Sequence, residues 1–407
     1  MSRAVVVDAV RTGITRAFHG ELRSTRPDDL AAHGIDALLA RHAGVPRELL
    51  EDCIVGCAFP EGPQGLNLGK GVAVASSLGE SVAGLTISRY CASGLDAIVA
   101  AAGRVVSGHA EALIAVGVES VSMTMRTLNS EGLFNPRIEQ KSPDTYLRMT
   151  GDPSIPLWKR AFRSMGETAE RLAERYDVSR ADQDAFACIS QQRTAAAQRG
   201  GRFADELTAF DPRRYAIEGA ADAVGVAVTA DLCNRPDTTR DVLAGLEPAF
   251  RPGGSVTAGN SAPAADGAAC ALVVSEAIAE KYALPRLGFL RGYAVASCPP
   301  GVMGLGPTLA VPKLLARHGL SLEDVDAFEI NEAFAAQTVH CLRALRLDID
   351  RVNIEGGAIS LGHPFGMTGV RLVGHLLRIL RRRGGRFGVV SMCVGGGMGV
   401  AALLEAG

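Results

Sequence analysis

Residues 86–99 read Thr-Ile-Ser-Arg-Tyr-Cys-Ala-Ser-Gly-Leu-Asp-Ala-Ile-Val and pass from a strand pattern into a helix pattern across one short turn. A strand that leads through a turn into an amphipathic helix is the building unit of parallel α/β sheets. The strand pattern at 113–118 continues this alternation, so the sequence predicts an α/β fold. After the turn, apolar residues recur at helical spacing on one face: Leu95, Ile98, Val99, Ala102 and Val105.

The chain also contains a weak internal repeat. Leu-Leu-Ala-Arg-His occurs at 38–42 and again at 314–318, and an acidic helix start and a strand follow each copy. A second resemblance relates 86–117 to 352–397. Such common residues can match by chance, but the shared order of helix, turn and strand favours a duplication.

The repeat suggests a division of the chain into similar halves. We expect an N-terminal half at 1–124, completed by about 251–283, and a C-terminal half at 284–407. Residues 125–250 match neither half and carry polar loops, so we expect them to form an inserted loop domain.

The bulk composition argues against several classes of protein. With a net charge of −2 and a pI near 6.5, the chain has no general attraction for nucleic acid. No apolar run reaches membrane-spanning length. Nine scattered cysteines suit a reducing compartment, and Cys53 and Cys57 have no second pair with which to bind a metal. We expect a cytoplasmic protein without a metal site.

Cys91 lies in the turn that opens the first motif, at the predicted start of a helix. The positive end of a helix dipole favours a thiolate over a thiol. The small residues at 92–94 leave room for a substrate carbonyl. Taken alone, this position is about equally compatible with a buried, inert cysteine.

Cys393 lies in Ser-Met-Cys-Val-Gly-Gly-Gly at 391–397, which we place after a strand at 387–390. A thiol is a suitable acid or base for a proton next to a thioester. The backbone N–H groups of the glycines, including that of Gly395, can form an oxyanion hole. A phosphate-binding glycine loop is the alternative, but no Lys-Ser or Lys-Thr follows.

Two further polar residues stand in motifs of the C-terminal half. His363 lies in a glycine-flanked loop before an apolar helix pattern, where it can activate a thiol or hold an oxyanion. Asn331 directly follows a strand predicted at 327–330, and its amide can orient a water. The alternatives are a surface-loop histidine and a helix N-cap.

Taken together, these four blocks resemble the thiolase family over essentially the full length. Several other segments are similar to family motifs, namely Val7-Asp8-Ala9-Val10-Arg11-Thr12, Gly117-Val118-Glu119-Ser120, Thr257-Ala258-Gly259-Asn260 and Asp266-Gly267-Ala268-Ala269. Ketoacyl synthases share the two halves but lack a second cysteine like Cys393. A non-catalytic carrier of thiolase shape would be expected to lose a catalytic cysteine or histidine.

The resemblance implies a five-layer αβαβα fold and a role for each motif. Cys91 would attack the 3-keto group of a 3-ketoacyl-CoA, and His363 would activate it. Cys393 would protonate the leaving acetyl-CoA enolate. His363 and a water held by Asn331 would form one oxyanion hole, and the N–H groups of Cys91 and Gly395 the other. Coenzyme A is then a co-substrate, with no permanently bound cofactor.

The resemblance also implies contacts with coenzyme A. Arg235 aligns with a family residue near the adenine nucleotide. Departures from the family are Ala262 at a pantetheine-contacting serine, Ser164 at a histidine of some members, and Ser88 at a common asparagine. Further positions align along the pantetheine channel: Met165, Phe250, Ala258, Ala333 and Phe334.

The implied function is thiolytic cleavage of 3-ketoacyl-CoA to acetyl-CoA and a shortened acyl-CoA, in fatty-acid β-oxidation. The alternative within the family is an acetyl-CoA acetyltransferase that forms acetoacetyl-CoA. Family members are homodimers or homotetramers, so we expect a homo-oligomer, and a β-oxidation partner enzyme is compatible with this function.

Overall fold

The computed structural model describes residues 3–127, 136–145, 154, 157–215 and 226–407. The strands are β1 (Ala4–Thr12), β2 (Thr15–Arg16), β3 (Leu50–Gly56), β4 (Ala83–Ile87), β5 (Ala112–Ser120), β6 (Leu207–Thr208), β7 (Ala265–Ser275), β8 (Gly288–Ser297), β9 (Ala327–Ile330), β10 (Phe387–Val394) and β11 (Met398–Ala406). The α-helices are α1 (Pro27–Arg41), α2 (Leu68–Ala75), α3 (Ser93–Val106), α4 (Val121–Thr127), α5 (Pro136–Lys141), α6 (Leu157–Arg175), α7 (Arg180–Arg199), α8 (Arg240–Ala244), α9 (Glu276–Lys281), α10 (Gly306–His318), α11 (Ala335–Leu345), α12 (Ala358–Leu361) and α13 (Phe365–Arg383).

The strand pairings of the first half are repeated in the second. β3 is parallel to β5, β5 is antiparallel to β7, and β7 is antiparallel to β1. In the same way, β9 is parallel to β10, β10 is antiparallel to β11, and β11 is antiparallel to β8. The two sets meet where β1 pairs with β8 at Val5 and Val6. The two similar halves expected from the sequence are therefore present in the fold.

Helices cover both sets of strands and also separate them. α1 and α2 pack on the outer side of the first set, and α10 packs on the outer side of the second. α3 and α13 lie between the two sets and contact strands of both. The resulting layers alternate helix, sheet, helix, sheet and helix, and the predicted five-layer αβαβα fold is confirmed.

Local sequence signals account for the helix ends. α1 has Asp28 and Asp29 in its first turn and Arg41 in its last, in agreement with the helix dipole. α7 begins with a capping box in which Ser179 and Asp182 bond each other's backbone N–H groups. Parts of the expected loop domain, 128–135 and 216–225 among them, lie outside the described residues.

The two central helices approach each other closely through glycine. A Cβ atom on Gly369 of α13 would overlap the backbone nitrogen of Leu95 in α3. A Cβ atom on Gly94 of α3 would overlap the carbonyl oxygen of Gly366 in α13. Only residues without a side chain permit this backbone contact. The separation of the two helices is therefore fixed by these positions.

We predict that Gly369→Ala lowers the free energy of unfolding by about 1–3 kcal/mol, because overpacking a close-packed contact costs this much. Gly103→Ala is the matched control, since Gly103 also lies inside a central helix but a Cβ there meets no atom within 4 Å. The control should be stabilised by roughly 0.5–1 kcal/mol. Urea denaturation of both variants measures the difference, and equal midpoints would contradict this account of the contact.

Candidate active site

Cys91 lies in a single turn of 3₁₀ helix, Tyr90–Ala92, between β4 and α3. The turn is tied to the helix by Ser93, whose hydroxyl donates to the Tyr90 carbonyl at 2.7 Å and accepts from the Arg89 N–H at 2.9 Å. Tyr90 adopts a positive φ of 45°, which is uncommon for a bulky residue. Cys91 is half-buried, whereas Ala92 and Ser93 are buried. The turn thus presents the thiol at the edge of the central layer.

The ionisation of Cys91 differs from the expectation based on the helix dipole alone. Burial, followed by the negative charge of Glu119, raises the pKa of the Cys91 thiol to about 12. The N–H groups of Gly395 and of Cys91 itself act in the opposite direction. In the free protein Cys91 is therefore a thiol at neutral pH, and it needs a base to become a nucleophile.

Cys393 lies inside β10, not after it as the sequence suggested. It pairs with Gly399 of β11, because the strand continues to Val394 before the glycine turn. The side chain is fully buried. Burial, and next the nearby Cys91 thiol, raise the pKa of Cys393 well above its usual value. β10 also contacts the turn that carries Cys91. The two thiols consequently occupy one region.

Gly395 is the residue after β10, and its N–H faces the Cys91 sulfur closely enough to favour the thiolate. A Cβ atom on Gly395 would come within 3.7 Å of the Tyr90 ring and 3.9 Å of the Met165 sulfur. The glycine turn therefore lies between the turn that carries Cys91 and α6.

His363 is buried, and both of its ring nitrogens have neighbours. Nε2 is 3.2 Å from the Asn331 amide nitrogen, and Nδ1 is 2.7 Å from the Thr368 hydroxyl. The backbone N–H of His363 donates to the Pro263 carbonyl at 2.9 Å. Burial, and then the positive charge of Arg371, lower the pKa of His363 to about 3. The ring is therefore neutral at physiological pH, and one of its two nitrogens carries a lone pair.

Asn331 directly follows β9, as the sequence predicts. Its backbone N–H donates to the Ser391 carbonyl at 2.9 Å, which places it beside the strand that carries Cys393. Its side-chain oxygen is buried and accepts no hydrogen bond from a described residue. A water bonded there would satisfy it. The alternative role as a helix N-cap is wrong, since α11 starts at Ala335 after Phe334.

Glu119 is a functional neighbour that sequence reasoning missed, although its Gly-Val-Glu-Ser motif was visible. Its buried carboxylate accepts hydrogen bonds from the N–H groups of Ala58 and Gly366, both at 2.8 Å, and from the Gln64 amide at 2.7 Å. Burial raises the pKa of Glu119 to about 7 against the pull of these bonds. The carboxylate thus joins the loop after β3 to the start of α13.

Glu332, which directly follows Asn331, has a similar structural role. Its carboxylate accepts from the Ser190 hydroxyl at 2.7 Å, the Asn353 amide at 2.8 Å and the Ile359 N–H at 3.1 Å. These partners fix the loop before α12 and connect it to α7. The Asn-Glu-Ala-Phe motif contained the signal, but only the fold reveals the partners.

Four of the expected coenzyme A contacts gather around one apolar cluster that also contains Cys393. Ala333 and Phe334 are buried in it, and Met165 and Phe250 pack against it. The rings of Phe250 and Phe334 meet edge to face, with centroids 6.0 Å apart. An apolar wall next to a buried thiol suits the pantetheine part of coenzyme A.

The other positions expected to contact coenzyme A lie outside this apolar cluster. Ala258 is exposed, and Arg235 is exposed on a loop that its backbone N–H ties to the Gln191 side chain at 2.8 Å. Ala262 is half-buried and bonds the Ala333 carbonyl through its N–H at 3.1 Å.

Two departures from the family pattern have defined surroundings. The Ser88 hydroxyl donates to the Ala58 carbonyl at 3.0 Å and so supports the loop after β3. Ser164 is buried next to Met165, and its hydroxyl has no partner among the described residues.

Also within the described residues, no group of three His, Cys, Asp or Glu could hold a metal ion. No described helix combines the length and apolar character that crossing a bilayer requires.

Comparisons with known proteins agree with this architecture. Residues 4–277 match the model of the thiolase N-terminal domain, and residues 284–406 match that of the thiolase C-terminal domain. The 3-ketoacyl-CoA thiolase of Bacillus subtilis (strain 168) is 39% identical, with both chains fully covered.

Two solved structures are also similar. The dimeric peroxisomal thiolase of Saccharomyces cerevisiae has a TM-score of 0.87 at 33% identity, covering 100% of this chain and 97% of that one. The human mitochondrial 3-ketoacyl-CoA thiolase in complex with CoA has a TM-score of 0.83 at 33% identity, covering 100% and 98%.

The fold and the matches over the whole chain define an acyltransferase. More specifically, the chain belongs to the thiolase family.

We predict that Glu119→Gln destabilises the protein by about 1–3 kcal/mol, because an amide cannot accept all three hydrogen bonds. Glu111→Gln, at an exposed position just before β5, is the control and should have no effect. Because the pKa of Glu119 is raised in the fold, its protonation stabilises the native state. Wild type should therefore lose stability relative to Glu119→Gln as pH rises from about 4.5 to about 7. Urea midpoints measured across this range would refute the assignment if the difference stayed constant.

Proposed function

We propose that the protein catalyses CoA-dependent thiolytic cleavage of 3-ketoacyl-CoA to acetyl-CoA and an acyl-CoA that is two carbons shorter. The observation that carries the proposal is the grouping of two thiols with one neutral imidazole. Cys91 is near both Gly395 and Cys393, and its turn contacts α13, which begins two residues after His363.

In the first half-reaction, the Cys91 thiol transfers its proton to Nε2 of His363, and the sulfur attacks the 3-keto carbon. The bond between C2 and C3 breaks, and its electron pair forms the enolate of acetyl-CoA. Cys393 donates its proton to C2. Acetyl-CoA leaves, and the shortened acyl group remains on Cys91 as a thioester.

In the second half-reaction, the Cys393 thiolate takes the proton of the incoming CoA thiol, and the CoA sulfur attacks the acyl carbonyl. The tetrahedral intermediate collapses, acyl-CoA leaves, and the Cys91 thiolate takes back its proton from Nε2 of His363. The N–H groups of Cys91 and Gly395 would hold the oxyanion on the acyl carbonyl. Nε2–H of His363 and a water on the unpartnered Asn331 oxygen would hold the enolate oxygen.

Coenzyme A is proposed to lie against the apolar cluster around Cys393. Met165, Phe250, Ala333 and Phe334 would line pantetheine together with Ala258 and Ala262. The exposed Arg235 would meet the negatively charged adenine nucleotide from the rim. A CoA-bound structure of a 33% identical thiolase supports a site on this fold.

The acyl group is proposed to meet aromatic side chains beside the catalytic residues. The Phe59 ring lies 5.9 Å from that of Tyr90 and 6.1 Å from that of Phe365, and Phe365 lies 5.1 Å from the His363 ring. Phe59 and Phe365 are half-buried and Tyr90 is exposed. Apolar surface left accessible at this place favours acyl groups longer than acetyl, and hence a degradative role in fatty-acid β-oxidation.

The cellular setting, the oligomeric state and the domain limits of the protein are also proposals. Nine free cysteines suit a reducing, cytoplasmic setting. The half-exposed edge strand β4 and the fully exposed Leu66 support a homodimer or homotetramer. We propose an N-terminal half at 1–124 that is completed by 251–283, an inserted loop domain at 125–250 and a C-terminal half at 284–407. The repeated strand pairings support the division into two similar halves.

The test is thiolysis of a series of 3-ketoacyl-CoA esters from acetoacetyl-CoA to long-chain members, followed by loss of the enolate absorbance. We expect turnover of 3-ketoacyl-CoA esters that are longer than acetoacetyl-CoA, and no turnover when CoA is left out. Cys91→Ala should lose at least about 10⁴-fold in rate and form no acyl adduct by intact mass. Cys298→Ala, at the other half-exposed cysteine, should keep the adduct. Activity on acetoacetyl-CoA alone would instead support an acetyl-CoA acetyltransferase.

Cys393→Ala separates the two proposed thiol roles. Cleavage of 3-ketoacyl-CoA should fall by about 10²–10⁴-fold, because general acid catalysis contributes this much. Acylation of Cys91 by a simple acyl-CoA needs no enolate and releases a CoA thiolate, a better leaving group than a carbanion, so it should persist at a less reduced rate, as measured by intact mass over time. Loss of both reactions in a folded variant would contradict the assignment of Cys393 as the acid for carbon–carbon cleavage.

A further inference from the structure

Thr368 makes two hydrogen bonds, one to a backbone carbonyl and one to the ring of His363. Its hydroxyl donates to the carbonyl of Pro364, four residues earlier in the chain, at 2.9 Å. The same hydroxyl oxygen is 2.7 Å from Nδ1 of His363. Both residues are buried, His363 at 4% and Thr368 at 1% exposure. No water is needed to complete this chain of bonds.

A hydroxyl has one hydrogen to donate. The Asn331 amide nitrogen, 3.2 Å from Nε2, can only donate, so Nε2 accepts and the hydrogen of Thr368 goes to the Pro364 carbonyl. The oxygen of Thr368 must therefore accept from His363, and the ring hydrogen of the neutral imidazole lies on Nδ1. Nε2 then carries the lone pair, and the neighbouring Asn331 amide can donate to it across 3.2 Å.

We propose that Thr368 is a positioning residue that holds His363 in the Nδ1–H tautomer, so that the lone pair needed to take the proton of Cys91 is on Nε2. The inference rests on the proposed function, since it concerns the base of that reaction. Thr368 touches no reacting atom and acts only through the imidazole.

This arrangement lets one nitrogen serve both roles proposed for His363. The S–H bond of Cys91 breaks and an N–H bond forms at Nε2, which leaves a thiolate and an imidazolium. The new Nε2–H can then donate to the enolate oxygen, while Nδ1–H remains on Thr368. If Nε2 carried the hydrogen at the start, it could not take the proton of Cys91 and then donate that proton's hydrogen bond to the enolate oxygen.

The charged groups around the ring favour the neutral state before substrate binds. Arg371 lies on α13 and lowers the pKa of the imidazole, after burial itself. Glu329 on β9 lies near Arg371, and Glu119 on β5 bonds the Gly366 N–H. The Phe365 ring packs edge-on against the imidazole at 5.1 Å. Thr368 at Nδ1 and the Asn331 amide at Nε2 thus together set which nitrogen of the neutral ring carries the hydrogen.

The test compares Thr368→Val, Thr368→Ser and Thr338→Val for the rate of Cys91 acylation by acetyl-CoA, read by intact mass. Thr338 is the matched control, because its buried hydroxyl also donates to a carbonyl four residues earlier, at 3.2 Å from Phe334, but receives no imidazole. Thr368→Val should acylate roughly 10–100-fold more slowly, while Thr368→Ser and Thr338→Val stay within about twofold of wild type.

Two readouts separate positioning from general loss of structure. The difference in acylation rate between Thr368→Val and wild type should shrink as pH rises, because Cys91 then ionises directly and no longer needs the base. Nitrogen-15 shifts of labelled histidine, assigned with His363→Ala, should show hydrogen on Nδ1 in wild type and a changed tautomer in Thr368→Val. A folded Thr368→Val with wild-type acylation, or with an unchanged tautomer, would overturn the inference. Failure of wild type itself to be acylated would instead overturn the proposed function.

Discussion

The backbone contact between the two central helices is the constraint on which the rest of the structure depends. α3 and α13 touch through Gly94 and Gly369, and each helix begins just after a proposed catalytic residue. Because a helix is rigid over its length, fixing the separation of the helices also fixes the separation of their first turns. The spacing of Cys91 and His363 is in this sense a packing property of the core.

Buried carboxylates then hold the loops that the helices cannot reach. Glu119 accepts three hydrogen bonds from the loop after β3 and from the start of α13, and Glu332 accepts three from α7 and the loop before α12. Each carboxylate replaces its lost hydration with donors from segments far apart in sequence. A rigid frame of this kind keeps the backbone donors around the thiols in place before substrate arrives, as oxyanion stabilisation requires.

The sequence predicted features that depend on local spacing. The turn at Cys91, the strand before Asn331 and the repeat were all predicted, since periodicity and short motifs encode them. Features set by distant neighbours were missed or wrong. The strand at Cys393 runs longer than its glycines suggested, and burial with the charge of Glu119 raises the pKa of Cys91, whereas its place at a helix start had suggested a thiolate. The partner of His363, Thr368, lies five residues away but became recognisable only from two bond distances.

The repeated strand pairings suggest how the two similar halves came to carry different residues at the site. Cys91 stands two residues before Ser93, the first residue of α3, and His363 stands two residues before Phe365, the first residue of α13. These are corresponding places in the two copies. Duplication of an ancestral half would have set two identical turns face to face. Divergence would then have produced a division of labour, with the proposed nucleophile in one copy and its proposed base in the other.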